Sequence, residues 1–243
     1  TGALAAIGRP DSPPVPPLNL VGDFGGGGML LALGLVSALL ESKSSGKGQV
    51  IDAAMTDGSA LLMSMFYSMK ASGAWNEEVG TNFLDGGAHF YDSYECKDGK
   101  YISIGSIEPQ FYAMLREVAE LKDPIFDDQM SRKEWPEKKE AITKIFFAKT
   151  RDEWCELMEG TDICFAPVLS MWEAPNHPHN VARKTFIELE GLSQPAPAPR
   201  FSRTEAEVSS PPSIAGEHTD SILKDLGYDE TEISTLKNQG GVA

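Results

Sequence analysis

The sequence is poor in cysteine and in basic residues. Its three cysteines, Cys96, Cys155 and Cys164, form no C-x-x-C pair. A disulfide scaffold and a structural zinc site are therefore both unexpected, and a reducing compartment fits best. Lys and Arg number 21 against 36 Asp and Glu, which gives a net charge of −15. Nucleic acids and anionic membranes bind basic patches, so this composition argues against both partners.

Signatures of membrane spans, targeting and common cofactors are missing as well. The longest apolar run, Met29 to Leu40, has 12 residues, whereas a transmembrane helix needs about 20. This run predicts a buried helix. We find no signal peptide, no G-x-S-x-G, no P-loop and no G-x-G-x-x-G after a strand. No cofactor or metal is therefore predicted from motifs. The chain is expected to be cytoplasmic if it is bacterial, and mitochondrial and peroxisomal locations stay open if it is eukaryotic.

The most distinctive stretch is a carboxylate followed by glycines. Asp23 precedes Gly25 to Gly28, and an apolar helix is predicted to begin at about Gly28 or Met29. Such a helix would point its free N–H groups and positive dipole end at a tightly turning glycine loop, where an anionic intermediate could be stabilised. The alternative is that the glycines only allow close helix packing and that Asp23 caps the helix. Spacing alone favours the alternative.

The other candidates for chemistry have equally simple structural explanations. Glu108 precedes Pro109 at the start of a predicted helix, where an acid is favoured by the helix dipole alone. His177 and His179 have no third ligand nearby, so no metal site is predicted. His89, beside a Gly-Gly turn, and His218 are expected at the surface.

Proline, glycine and apolar periodicity divide the chain into segments. A short strand is predicted at Gln49–Ala54 and a helix over about 58–72, capped by Asp57. A hairpin is predicted around Lys97-Asp98-Gly99. Helices follow over about 109–121, 135–149 and 151–159 (capped by Asp152), then a strand at Cys164–Leu169 and helices from about 217 and 229. The predicted domains are 1–72, part of a large α/β domain; 73–88, a linker; 89–185, a small α+β domain; 186–200, a proline-rich linker; and 201–243, a C-terminal segment.

Nine stretches occur with the order and spacing of one enzyme family. They are Thr1–Leu4, Pro17–Gly27, Ser45–Met55, Asn82–Ala88, Tyr91–Cys96, Ile107–Tyr112, Thr161–Leu169, Pro197–Arg203 and Gly216–Thr219. Together they resemble the α-methylacyl-CoA racemases of the class III (formyl-CoA) transferase superfamily. Leu84-Asp-Gly-Gly87 and Ile107-Glu-Pro-Gln-Phe-Tyr112 favour the racemase branch over the transferase branch. Thr1 resembles the middle of an element, so we expect a native segment upstream of it.

The resemblance implies a fold and a reaction. The fold is an open Rossmann-like α/β large domain, incomplete here, together with a small α+β domain. Residues 201–243 return to the large domain, and two copies form an interlocked homodimer. The reaction is epimerisation of the α-carbon of 2-methylacyl-CoA thioesters, with coenzyme A as part of the substrate and no separate cofactor. Asp23 matches the catalytic aspartate and Glu108 a glutamate contributed across the dimer. The partner base, a histidine of a Gly-His-Asp motif, would lie upstream of Thr1.

The resemblance also suggests contacts with the substrate. They are Gly25, Gly26, Met55, Asp57, Leu84, Gly86 and Gly87. His89 stands where the family usually has proline, and we expect it to tune the acyl pocket.

Two other functions stay open. A CoA-transferase of the same fold would use Asp23 as a nucleophile that forms an acyl anhydride. A chain without the histidine could also fold or dimerise without activity.

Overall fold

The computed structural model describes residues 1–208 and 210–242. Its contacts divide the chain into two compact units, Thr1–Val168 and Leu169–Ala243. The fold is mixed: helices surround a three-stranded and a two-stranded antiparallel sheet. The division at Val168 falls inside the segment 89–185, which the sequence predicts as one domain. The domain boundaries predicted from the sequence therefore stay predictions.

The first unit begins with helices. They are α1 (Ala3–Ala6), a π-helix (Leu20–Met29), α2 (Leu30–Ser45), α3 (Met55–Leu62) and α4 (Ser64–Ala71). The predicted single helix over 58–72 is thus two helices. Asp57 is not its cap, since Ala54 occupies the N-cap of α3 and Asp57 lies in the first turn.

The glycine run is helical rather than a loop. The π-helix continues without a break into α2, so the prediction of a free helix terminus at Gly28 or Met29 is wrong. A Cβ built on Gly26 would lie 2.6 Å from Ser59 Oγ, and one on Gly58 would overlap the carbonyl oxygen of Gly26. Close packing of the π-helix on α3 therefore requires these glycines. Asp23 is not the cap either, because Asn19 holds the N-cap position.

The apolar helix predicted to be buried is exposed. Together the π-helix and α2 form a 26-residue helix, Leu20–Ser45, which contains an 18-residue stretch with a mean hydropathy of 1.6 and only 6% of its residues buried. By length and composition it could cross a membrane, because the glycine run lengthens the apolar stretch. Leu33, Val36 and Leu40 are 62%, 65% and 69% exposed. The described part of the chain does not cover this surface.

The predicted strand at Gln49–Ala54 is absent from the described structure. Residues 46–54 are irregular, and Val50 is 95% exposed. A strand requires a hydrogen-bonding neighbour, and the described residues place none beside this segment.

The predicted hairpin is confirmed. Strands β1 (Tyr91–Glu95) and β2 (Tyr101–Gly105) pair antiparallel, and β3 (Phe165–Val168) pairs antiparallel with β2. One sheet face carries Tyr94, Ile102 and Ile104 into the core. Helices α5 (Pro109–Val118), α6 (Trp135–Phe146) and α7 (Arg151–Met158) confirm the three predicted helices, each with a shorter C-terminal end. Two 3-10 turns, Pro124–Phe126 and Arg132–Glu134, connect α5 to α6.

The cap of α7 differs from the prediction. Thr150, not Asp152, is the N-cap, and it forms a capping box with Glu153. Both residues satisfy backbone groups that the helix end leaves free.

The second unit contains a hairpin that the sequence analysis missed. The elements of this unit are a 3-10 turn (Ala174–Asn176), α8 (Pro178–Arg183), β4 (Phe186–Leu189), β5 (Leu192–Pro195), α9 (Thr219–Asp225) and α10 (Glu230–Asn238). Strands β4 and β5 form the hairpin. Strands β4 and β5 occupy the first part of the predicted linker 186–200. Their turn residues Glu190 and Gly191 have φ values of 51° and 78°, as a two-residue hairpin turn requires. Helices α9 and α10 were both predicted.

We predict that Gly58→Ala destabilises the protein by about 2 kcal/mol or more, because the added Cβ forces the π-helix away from α3. The matched control is Gly22→Ala in the same π-helix, where a Cβ meets nothing within 4 Å. There the change should be neutral or stabilising by up to about 1 kcal/mol. Urea unfolding followed by circular dichroism measures both. Equal effects would contradict the packing explanation.

Candidate functional site

The predicted site residues lie in three places within the first unit. Asp23, Gly25, Gly26, Met55 and Asp57 lie where the π-helix crosses α3. Leu84, Gly86 and Gly87 lie on a turn between α4 and β1, and Glu108 is the N-cap of α5.

The carboxylate of Asp23 is exposed in the first turn of the π-helix. Leu20 N–H bonds Pro17 O, and Phe24 N–H bonds Asn19 O. Since π-helical N–H groups bond the carbonyl five residues back, the donors left without an intrahelical acceptor are those of Val21, Gly22 and Asp23. The donors without an intrahelical acceptor therefore lie in the turn that carries Asp23, not at Gly25 to Gly28.

Glu108 is exposed at the start of α5, and the backbone leading to it is fixed. Gln129 Nε2 donates to the carbonyl oxygens of Ser106 and Ile107, at 2.9 Å each. The Ser106 hydroxyl donates to Ile163 O. Partial desolvation raises the pKa of the Cys164 thiol, and the Glu108 carboxylate beside it raises that pKa further.

The Leu84–Gly87 turn is organised by Asp85. Its carboxylate accepts from the N–H groups of Gly80, Asn82 and Gly87 at 2.9, 2.9 and 3.1 Å, and from Asn82 Nδ2 at 2.8 Å. Gly86 has a φ of +84°, and a Cβ there would lie 2.7 Å from Arg9 Nη1. A Cβ on Gly87 would lie 2.6 Å from the carbonyl oxygen of Asn82. Both glycines are therefore explained by the close packing of the turn.

A cavity of about 680 Å³ opens beside this turn. Its lining includes Leu84 and Gly86, the segment Ala6–Arg9, and parts of all three strands of the first sheet. Of the other predicted site residues, neither Asp23 nor Glu108 lines it. The structure thus brings Leu84 and Gly86 together at a pocket and keeps the two candidate catalytic carboxylates outside it.

Arg9 and Asp92 form one side of the cavity. The sequence analysis did not single out either residue. Asp92 on β1 is only 5% exposed and pairs with Arg9 at 2.6 Å and with Lys139 of α6. Lys139 also donates to Gly86 O. One signal in the sequence could have indicated Asp92: it is a charged residue at an inward-facing position of a predicted strand. Its partners Arg9 and Lys139 are 83 and 47 residues away in the sequence, so no local pattern indicates them.

His89 is in the core, so its predicted surface position is wrong. It is 0% exposed and has edge contacts with Phe90 and Tyr112. The Tyr112 hydroxyl donates its one proton to Phe126 O. Because that proton is used, His89 Nε2 is the donor in its 2.7 Å hydrogen bond to the Tyr112 oxygen. His89 Nδ1 is buried without a partner among the described residues. Burial, with the charges of Lys138 and Lys139, lowers the pKa of His89 to about 3. It does not line the cavity, so its predicted role in tuning an acyl pocket stays a prediction.

Comparison with known proteins identifies the family. Residues 1–219 match the sequence model of CoA-transferase family III. The chain belongs to this family. The resemblance that the motifs predict is therefore confirmed.

Two relatives of this family III chain carry the same name. Alpha-methylacyl-CoA racemase of Mus musculus is 46% identical over 239 residues, a match that covers 97% of this chain and 62% of the mouse protein. The Homo sapiens protein of that name is 42% identical over 240 residues, covering 98% and 63%. The chain thus spans less than two thirds of the length of these curated relatives.

The fold has a counterpart among solved structures. A crystal structure of a CAIB/BAIF family protein from Brucella suis matches with a TM-score of 0.70 and 22% identity, covering 93% of this chain and 60% of that chain. The mixed α/β class predicted from the sequence is confirmed at this level.

We predict that Asp85→Asn loosens the Leu84–Gly87 turn. An amide offers one acceptor oxygen where the carboxylate has two, so donors are left unpaired at a cost of about 1–3 kcal/mol. Amide hydrogen exchange at Gly80, Asn82 and Gly87 should accelerate about tenfold or more. Asp123→Asn is the control, since Asp123 caps one 3-10 turn through Ile125 N–H and asparagine caps as well as aspartate. Unchanged exchange in Asp85→Asn would contradict the assigned role.

We predict that His89 makes the protein less stable in acid. The pKa of His89 is about 3 in the fold and 6.5 in its ordinary state, so between these values the unfolded chain binds more protons. Stability therefore falls as the pH is lowered through this window, by about 2 kcal/mol from this residue between pH 7.5 and 5.

The measurement is the urea unfolding free energy at both pH values. His89→Gln, which cannot titrate, should lose that part of the pH dependence. The exposed His179→Gln should keep it. A His89→Gln profile that parallels the unmodified protein would refute the assignment.

Proposed function

We propose that this chain forms the greater part of an isomerase that epimerises the α-carbon of 2-methylacyl-CoA thioesters by 1,1-proton transfer through an enolate. The observation that carries the proposal is the 46% and 42% identity, over nearly the whole chain, to two proteins named alpha-methylacyl-CoA racemase. The motifs around Leu84 and Ile107 point to the same branch of the family.

Asp23 is the proposed base on one face of the substrate. A thioester makes its α-proton acidic, but inversion needs one group to remove the proton and another, on the opposite face, to return one. The exposed carboxylate of Asp23 is accessible for this role. The second group is the histidine that the resemblance expects upstream of Thr1, and Glu108 would orient it rather than touch the substrate.

The donors for the enolate oxygen must be reassigned. The N–H groups of Gly25 to Gly28 are used within the π-helix, so the first-turn donors of Val21, Gly22 and Asp23 take their place in the proposal. A dipole end that stabilises negative charge is a physical reason to use them. Gly25 and Gly26 then act by letting the π-helix pack on α3, while Met55 and Asp57 on α3 are proposed to lie near bound coenzyme A.

The apolar surface of α2 supports the proposed domain structure. A helix that is apolar on all sides is stable in water only when other elements cover it. We propose that α2 lies in an open Rossmann-like α/β large domain that is completed by chain outside this sequence, and that it does not span a membrane. Within the proposal, residues 89–185 form the small domain and two copies interlock as a homodimer, so that Glu108 serves the partner's site.

Coenzyme A enters as part of the substrate in this proposal, and the reaction needs no separate cofactor because both steps are proton transfers. A role in fatty-acid metabolism and a cytoplasmic, mitochondrial or peroxisomal location are compatible with it.

We predict that native protein containing this chain exchanges the α-proton of a 2-methylacyl-CoA for deuterium in D₂O, as followed by NMR. Asp23→Ala should slow the exchange at least about 100-fold, the usual contribution of a general base. Asp52→Ala, an exposed carboxylate outside the site, is the matched control and should leave the rate unchanged.

The two other functions give different results. A CoA-transferase would show no exchange but would transfer CoA to an added carboxylic acid, with Asp23 as the nucleophile. A chain without catalytic function would show neither reaction. Either result would refute the racemase proposal.

A further inference from the structure

The cavity beside Arg9 has the size and walls of a small-molecule site. Its volume of about 680 Å³ lies in the range of ligand pockets, about 300–1,000 Å³. The apolar part of the wall comes from Ile7, Val15, Leu84 and Phe165. An aliphatic chain that lies against this wall would remove apolar surface from water.

The charged side chains at the cavity differ in how many hydrogen bonds and ion pairs they already form. Asp85 accepts four hydrogen bonds from its own turn. Asp92 is held by Arg9, by Lys139 and by the Ser93 N–H at 2.8 Å. Arg9 uses Nη1 for Asp92, and its side chain is 51% exposed. Both carboxylates are thus engaged, whereas the described residues 1–208 and 210–242 offer a partner only to Nη1 of the Arg9 guanidinium.

The uncharged polar groups in the wall can also donate. Ser93 and Ser103 lie opposite each other in the strand register, on the same sheet face as Tyr91, and all three line the cavity. Their hydroxyl groups have no hydrogen-bond partner in the part of the chain that the structure describes. These hydroxyls can donate or accept, whereas the Arg9 guanidinium can only donate. A ligand that supplies acceptor oxygens therefore fits this wall.

We infer that this cavity binds an aliphatic carboxylate, with its charged end on Arg9 and its chain along the apolar wall. The planar guanidinium offers paired N–H groups that match a carboxylate. Asp92, itself held by Lys139, holds Arg9 in place before the ligand arrives, which lowers the entropy lost on binding. The inference rests on the proposed function in that the ligand is an acyl compound of the same enzyme.

A carboxylate of this kind has two chemical sources. It is either a free aliphatic acid or the distal carboxylate of a dicarboxylic acid whose other end is the CoA thioester. The two share the group that Arg9 recognises, and competition experiments separate them.

The test is calorimetric titration of the native protein containing this chain with octanoate and with 1-octanol at pH 7.5. Octanoate should bind, and Arg9→Gln should weaken it about tenfold without changing the weaker binding of octanol. The matched control Arg183→Gln, exposed on α8, should change neither. Ser103→Leu, which fills the cavity beside Arg9, should weaken octanoate and octanol together.

Octanoate binding that is unchanged in Arg9→Gln, or that equals octanol binding in the unmodified protein, would overturn the inference. Octanoate and octanol binding that Ser103→Leu leaves unchanged would also overturn it. Circular dichroism and thermal unfolding establish that each variant is folded. Displacement of octanoate by suberyl-CoA about tenfold better than by octanoyl-CoA would support the site with a distal carboxylate as ligand, and equal displacement would support it with the free acid. The binding result does not depend on α-proton exchange, so failure of the racemase proposal and failure of this one are distinguishable.

Discussion

The ion pairs of Asp92 hold together parts of the first unit that are far apart in sequence. This nearly buried carboxylate on β1 bonds Arg9 from the N-terminal segment and Lys139 from α6. Because Lys139 also bonds the Gly86 carbonyl, the turn beside the cavity belongs to the same network. A buried charge that loses its partner is costly, about 3–5 kcal/mol. The cavity wall, the turn and the start of the chain therefore depend on one another.

Local structure could be read from the sequence where local signals decide it. The Lys97-Asp98-Gly99 turn and the alternation around it predict the first hairpin, and Pro109 marks the start of α5. The second hairpin carried a comparable signal in Glu190-Gly191, but the proline-rich stretch that follows made the whole segment resemble a linker. In both hairpins the turn residues were a sufficient signal for the turn.

Tertiary contacts decided the rest. Four glycines in a row oppose helix formation by propensity, yet the contact between Gly26 and Gly58 favours a helix there because no side chain separates the backbones. The site shows the same limit. Asp23 and Glu108 could be singled out beside glycines and a proline, but their catalytic roles came only from the family resemblance. Arg9, Asp92 and the buried state of His89 follow from long-range packing that no local pattern records. The exposure of α2 has the same origin, because burial of a helix depends on tertiary contacts, and the described residues do not cover its surface.

The two faces of the first sheet have different roles, because successive side chains of a strand point to opposite faces. Ser93, Ser103 and Ala166 form a row across its three strands on the face toward the cavity, while Tyr94 and Ile102 on the other face belong to the core. In the proposed site, side-chain volume on the outer row sets how deep a ligand reaches, and this volume can change without disturbing the core. In evolutionary terms, the proposal implies that homologues acquire different acyl-length preferences through single substitutions in this row, at little thermodynamic cost to the fold.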